Sequence, residues 1–173
     1  MTEMFFTVKY AEYKLQVIVG NAGVRRVKWV LSDDELQNQT SLRKPKWISS
    51  LRKMLHQHIS GELIPIYEGI PLDYEGLSPF AVDVLKHCAK IPAGEVLTYG
   101  ELARIRGSSP GAARAVGQVM RRNPFPLIVP CHRVVGAVPS SMFHYTGGGS
   151  TMKRRLLQLE GVQLLPEQTS LPF

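Results

Sequence analysis

Three runs rich in apolar residues open the chain: Met4–Tyr10, Tyr13–Val19 and Val24–Leu31. Ala11-Glu12 separates the first two, and Gly20-Asn21-Ala22-Gly23 separates the second and third. Connections this short and this rich in turn residues fit hairpins, so the pattern predicts a three-stranded β-meander. The polar stretch Ser32–Lys46 predicts a loop. Trp47, Leu51, Met54, Leu55 and His58 then recur at helical spacing, with Gly61 as a stop signal. Ile64-Pro65-Ile66-Tyr67 and Ile70-Pro71-Leu72 are short extended pieces broken by proline, and a domain boundary is expected near Asp73–Leu77.

The second half reads as helical. Ser78-Pro79 is an N-cap followed by a first-turn proline, and Ala81, Val84, Leu85 and Cys88 share one face of the helix it starts. Cys88 is thereby expected in the core. Gly94–Thr98 predicts a short strand or turn, and Thr98-Tyr99-Gly100-Glu101 has capping-box spacing for a helix reaching Arg106. Gly107-Ser108-Ser109-Pro110 breaks that helix and starts another, which runs to Arg122 and stops at Asn123-Pro124. Two helices joined by so short a turn make a helix-turn-helix candidate. Leu127-Ile128-Val129 predicts a buried strand. Ser150 or Thr151 caps a last helix carrying Leu156, Leu157 and Leu159 and stopped by Gly161. The expected fold is α+β, with a small β-meander/helix domain over 1–76 and a helical domain with a winged-helix-like helix-turn-helix over 77–165. A loose tail is expected over 166–173.

Composition changes this picture in two ways. Hydrophobic residues make up 44% of the 173 positions and charged residues 20%, which excludes a disordered chain. No apolar run is long enough to span a membrane, and the N-terminus lacks the basic-then-apolar layout of a signal peptide. The net charge of +7 is unevenly placed: residues 1–76 hold ten Lys and Arg against nine Asp and Glu, and residues 77–173 hold eleven against five. The basic half fits either a scattered surface or a polyanion partner. Two cysteines and no Cys-x-x-Cys pair point to an intracellular, reduced protein, and no metal site is expected.

The second helix of the pair carries Gly111, Ala112, Ala113, Ala115 and Gly117 with Arg114, Arg121 and Arg122. So little bulk among arginines permits close approach to a phosphate backbone, while alanines also simply favour helix. Cys131 sits between Pro130 and His132. A free thiol is mostly protonated near neutrality, so a nucleophilic role needs a base. His132 can serve only if the chain turns there or a water bridges the pair, and it needs a carboxylate or a carbonyl to fix its tautomer. Glu160 stands in the last helical turn, where the dipole disfavours an anion, and that placement implies another partner.

Pro130-Cys131-His132-Arg133-Val134 resembles the active-site signature of the O6-alkylguanine-DNA alkyltransferases, also called methylated-DNA–protein-cysteine methyltransferases. So do Ala113–Gly117, Met120-Arg121-Arg122-Asn123-Pro124, Tyr145-Thr146-Gly147-Gly148 and the leucine-rich helix ending in Glu160-Gly161. The resemblance covers roughly residues 77–161 in continuous order.

What it implies is direct-reversal DNA repair: one irreversible alkyl transfer from O6-alkylguanine to Cys131, with no metal and no cofactor. By resemblance, His132 deprotonates the cysteine through a water, Glu160 orients His132, and Asn123 links the recognition helix to the active-site loop. Arg114 fills the space of the extruded base, Tyr99 rotates the target phosphate, and the backbone N–H of Thr146 and the phenol of Tyr99 donate to the purine. Carbonyls near Cys131 and Val134 accept from its exocyclic amine, and Met120 and Tyr145 line the pocket. The partner implied is double-stranded DNA, met through the minor groove by Ala112, Ala113, Gly117 and Arg121, by a monomer in the cytoplasm, or in the nucleus of a eukaryote. Gly136–His144 is slightly longer than the family pattern, and Gly107–Gly111 carries one extra residue. Three alternatives stand beside this reading: a silent DNA-binding relative, a winged-helix regulator with a structural Cys-His pair, and a cysteine hydrolase.

Overall fold

The computed structural model describes residues 4–31, 45–137, 145 and 149–163. The chain divides into two compact units, one comprising Met1–Gly76 with Pro124–Ile128, the other Leu77–Asn123 with Val129–Phe173. The division differs from the single boundary expected from sequence, because the short segment 124–128 groups with the first unit.

In the first unit, β1 (Met4–Tyr10), β2 (Tyr13–Gly20) and β3 (Gly23–Leu31) form an antiparallel meander in that order. Alternation sends Met4, Phe6, Val8, Leu15, Val17, Val19 and Val27 to the buried face. Register pairs Val8 with Leu15 and Val17 with Val27, so the apolar residues stack across all three strands. Helix α1 (Lys46–Ile59) packs against β1 and buries Ile48, Leu51, Leu55 and His58. Ile48 takes the buried position that the spacing had given to Trp47, which is only partly covered. The expected loop 32–46 lies mostly outside the described residues, with Lys46 already helical. Gly23 is fixed by packing: a Cβ there would stand 2.3 Å from the Pro71 carbonyl oxygen, at φ +142.

Segment 124–128 belongs to this unit through a hydrogen bond from the Val27 N–H to the Pro124 carbonyl (2.7 Å) and an edge-on contact of Tyr74 with the fully buried Phe125. Leu127 and Ile128 form a turn, with Leu127 at φ +74, where a strand over Leu127–Val129 had been expected. Prolines at 126 and 130 explain the difference. Neither can donate to a ladder, so the run forms no strand beyond single bridge residues at Pro126 and Val129.

The second unit opens with α2 (Pro79–Cys88), whose Ser78 cap accepts from the Ala81 N–H. A short β4 (Leu97–Thr98) leads into α3 (Tyr99–Ile105). The capping box is complete, with the Thr98 hydroxyl accepting from the Glu101 N–H at 3.2 Å and the Glu101 carboxylate accepting from the Thr98 N–H at 2.6 Å. That bonding holds the Glu101 carboxyl below its ordinary range. A turn ending in one 3-10 turn, Pro110–Ala112, separates α3 from α4 (Ala113–Arg121), and the helices pack as the expected helix-turn-helix. β5 (Val134–Val135) pairs parallel with β4, Leu97 opposite Val134. Helix α5 (Gly149–Leu159) starts a residue or two before the cap read from the sequence. Leu85, Cys88, Leu102, Val116, Val134, Met152, Leu156 and Leu157 form the core, each at most 1% exposed. The fold is α+β.

Thr98→Ala removes the acceptor that caps α3 and leaves the Glu101 N–H unmatched. It is expected to lower stability by about 1 kcal/mol, read as a reduced urea midpoint at unchanged slope. An unchanged midpoint would show that the box contributes nothing net.

Candidate active site

The segment that carries the cysteine turns. Cys131–Arg133 is a single 3-10 turn, closed by the Cys131 N–H on the Val129 carbonyl (2.8 Å) and the Arg133 N–H on the Pro130 carbonyl (2.9 Å). This is the turn that His132 needs if it is to serve its neighbour. Cys131 is 5% exposed and His132 fully buried.

His132 Nε2 donates to Glu160 Oε1 at 2.8 Å, which leaves Nδ1 as the basic nitrogen. Glu160 lies just beyond α5 and is 3% exposed, so it is no solvated surface glutamate. Its unfavourable place at a helix C-terminus has a physical answer that the sequence reading missed. Arg133 Nη2 donates to Oε1 (2.8 Å) and Nε to Oε2 (2.9 Å), a two-pronged ion pair, and Nη1 bonds the Ile91 carbonyl. A carboxylate out of water needs such a partner, since the desolvation cost of a lone buried charge is several kcal/mol.

Asn123, just past α4, donates from Nδ2 to Cys131 Sγ and to the Val129 carbonyl, each at 3.0 Å. One amide thus binds the sulfur and the backbone that presents it. Burial pushes the Cys131 thiol up, and the Asn123 hydrogen bond, the Lys153 charge and a hydrogen bond from Tyr145 draw it back. Tyr99, at the start of α3, is partly buried; its phenol is pushed up by burial and by the charges of Cys131 and Cys88. Met120 and Val134 are both buried. The Val134 carbonyl, expected to face substrate, already accepts from Lys153 Nζ at 2.6 Å and keeps one lone pair. Thr146 lies outside the described residues, as do 138–144 of the long loop.

Arg114 and Arg121 stand on the exposed face of α4 with Ala115, Gln118 and Arg122, whereas Ala112, Ala113 and Gly117 are half-covered. A Cβ on Gly117 would meet Tyr99 at an ordinary 4.0 Å, so packing alone does not demand glycine there. Cys88 is fully buried, as its helix face implied. Among the described residues no group of three or more His, Cys, Asp or Glu is placed to hold a metal, and no helix is long and apolar enough to cross a membrane.

Arg133 and Lys153 are the site residues that sequence reasoning passed over. For Lys153 the signal was present: with Leu156, Leu157 and Glu160 it falls on one helix face, at spacings of three, four and seven.

Known proteins resemble this chain in sequence and in fold. A family model described as the DNA-binding domain of 6-O-methylguanine DNA methyltransferase matches residues 79–162. A methylated-DNA–protein-cysteine methyltransferase of Archaeoglobus fulgidus is 34% identical over 160 residues, 91% of this chain and 99% of that protein. One from Thermococcus sibiricus is 42% identical over 117 residues, 66% of this chain and 63% of that protein, so that match spans under two thirds of it. The crystal structure of a variant of the Mycobacterium tuberculosis O6-methylguanine methyltransferase superposes with TM-score 0.72 at 32% identity, covering 97% of this chain and 98% of that one. The same organism's protein in complex with DNA gives 0.70 at 32% identity, over 91% and 92%. The chain belongs to the methylated-DNA–protein-cysteine methyltransferase family.

Proposed function

We propose that this chain repairs DNA by taking an alkyl group from the O6 atom of a guanine onto Cys131 Sγ, once per molecule. The observation that carries the reading is a buried sulfur bonded by Asn123, one residue before a histidine locked to a buried carboxylate. A cysteine held only for packing needs neither.

The Cys131 proton passes through a water to His132 Nδ1, and Glu160 stabilises the imidazolium while Arg133 keeps Glu160 ionised. The thiolate attacks the alkyl carbon in line, the S–C bond forms, and the C–O6 bond breaks with its electron pair going to the purine. Tyr99 and the Thr146 N–H meet that charge as donors, Tyr99 also turns the target phosphate, and Met120, Tyr145 and the free lone pair of the Val134 carbonyl hold the base. The product is a thioether, which leaves the enzyme spent.

An O6 alkyl carbon is shielded inside a stacked duplex, so the nucleotide must leave the stack at a cost of a few kcal/mol. In this reading α4 docks in the minor groove, Ala112, Ala113 and Gly117 permit close approach, Arg121 meets phosphate, and Arg114 occupies the vacated stack. The protein acts as a monomer in the compartment that holds the DNA, with residues 77–165 as the alkyltransferase domain and 1–76 as its support. Binding of this kind is largely indifferent to sequence and weakened by salt.

Intact-protein mass after incubation with an O6-methylguanine duplex tests the reading: a single added methyl on Cys131 is expected. Cys131→Ala should bind the duplex and gain no mass, and a labelled mutant would sink the assignment. Arg114→Ala is expected to slow transfer from duplex by far more than transfer from the free base, whereas equal losses would remove its role in base flipping. Glu160→Ala should slow transfer by at least about 100-fold. By stranding Arg133 it should also cost roughly 3–5 kcal/mol in a denaturant titration.

A further inference from the structure

The near-balance of charge over residues 1–76 conceals a separation. Residues 4–31 hold five Lys and Arg against one acid, Glu12, whereas residues 62–75 hold four acids and no Lys or Arg. Strand alternation then gathers the cations on one side of the meander. With Met4, Phe6, Val8, Leu15, Val17 and Val27 buried, the opposite face carries Lys9, Lys14, Arg26 and Lys28, and no strand position on it is a carboxylate. Glu12 lies in the turn between β1 and β2. Lys9, Arg26 and Lys28 are exposed.

Register makes the arrangement costly for the free protein. Lys9 stands directly opposite Lys14 across the first hairpin, a like-charge pair that works against the sheet. Arg26 and Lys28, two positions apart on β3, project side by side about 6.7 Å apart. Lysines that guard an open sheet edge would account for Lys9, since β1 is an outer strand. They do not account for β3, whose edge is already occupied: the Val24 N–H bonds the Pro71 carbonyl and the Val27 N–H bonds the Pro124 carbonyl. Solubility alone would be served as well by mixed charge. A face of one sign, with the acids of the unit kept to another segment, suits an anionic partner of high charge density.

We propose that the outer face of the meander is a second duplex-binding surface, which holds the DNA phosphate backbone through Lys9, Lys14, Arg26 and Lys28 independently of α4. Gln16, paired with Lys28 across β2 and β3, adds an amide donor beside them. Phe5, Ile18 and Val30 on the same face are half-covered and offer no protruding apolar anchor for a bilayer. Contacts of this kind carry no sequence information and add to the salt dependence of binding. The inference rests on DNA being the partner of this chain and not on transfer at Cys131.

Two measurements on the whole chain test it. In the first, lysines of the native protein are acetylated with and without an undamaged duplex and located by peptide mass. Duplex is expected to protect Lys9 and Lys28 and to leave Lys53, exposed on α1, unprotected. In the second, affinity for that duplex is followed against salt for Lys9→Gln/Arg26→Gln/Lys28→Gln. Helix α1 exposes Lys46, Arg52 and Lys53, so Lys46→Gln/Arg52→Gln/Lys53→Gln supplies a comparison of equal charge. The sheet variant should bind about tenfold or more weakly at low salt, with a log–log salt slope shallower by about 2 to 3, while the α1 variant stays close to native. Equal losses in both variants would reduce the effect to net charge and overturn the inference. Lys9 and Lys28 left unprotected by duplex, or protected only by phosphatidylcholine–phosphatidylserine vesicles, would overturn it too, and the native protein decides this even if a variant fails to fold. If the native chain takes methyl from a duplex while these lysines stay open, the sheet face alone fails. If it binds no duplex at all, the DNA reading fails with it.

Discussion

In the proposed transfer the Cys131 sulfur must become an anion, yet it lies in the second unit where burial disfavours one. Burial alone raises the Cys131 thiol and would leave it inert at neutral pH. Shielding is still needed, because a thiolate open to water would be spent on oxidants. The structure keeps the shield and offsets its cost locally, with an amide from Asn123, a phenol from Tyr145 and an ammonium from Lys153. Each comes from a different stretch of chain, so the site exists only when the unit is folded.

One helix does much of this work. Lys153 and Glu160 are seven residues apart, two turns of α5, and so lie on the same face. That face meets three consecutive residues: Glu160 holds His132 and Arg133, while Lys153 holds Val134. The carboxylate accepts from His132 Nε2, and the ammonium bears on the Cys131 thiol through its charge. Arg133 bonds both oxygens of Glu160 and so holds that carboxylate at the His132 end of the face. The parallel β4–β5 pair then brings Thr98, and with it the capped first turn of α3 that carries Tyr99, alongside the strand that follows the cysteine.

Elements whose stability is local could be read from the sequence. The meander strands, the Ser78 and Thr98 caps and the buried face of α2 depend on alternation, capping chemistry and helical period, all of which are local patterns. Leu127–Val129 misled because its composition is that of a strand, while its conformation is set by prolines at either end and by packing of Phe125 with Tyr74. Cys131, His132 and Glu160 were visible through their motif, but the reason for Glu160's position was not. Arg133 is 27 residues from it in sequence, and no local rule connects them. Lys153 was hidden by residue type, since a lysine next to Arg154 and Arg155 reads as surface charge until its helix face is drawn.

The same lesson bears on the charge asymmetry that first pointed to a polyanion. Of the eleven cations in residues 77–173, Arg133 and Lys153 are buried in the site, and so is the acid Glu160. None of the three can meet a partner's phosphates. Setting them aside leaves nine basic residues against four acidic ones, so the excess barely changes. Arg114, Arg121 and Arg122 add exposed charge to a helix face of small residues with no acid of its own. In the proposed function the buried cations serve the chemistry and the exposed ones serve attraction, which screens with salt while the buried set does not. On that reading ionic strength and pH act on separate halves of the proposed reaction, the first on finding the duplex and the second on forming the thiolate.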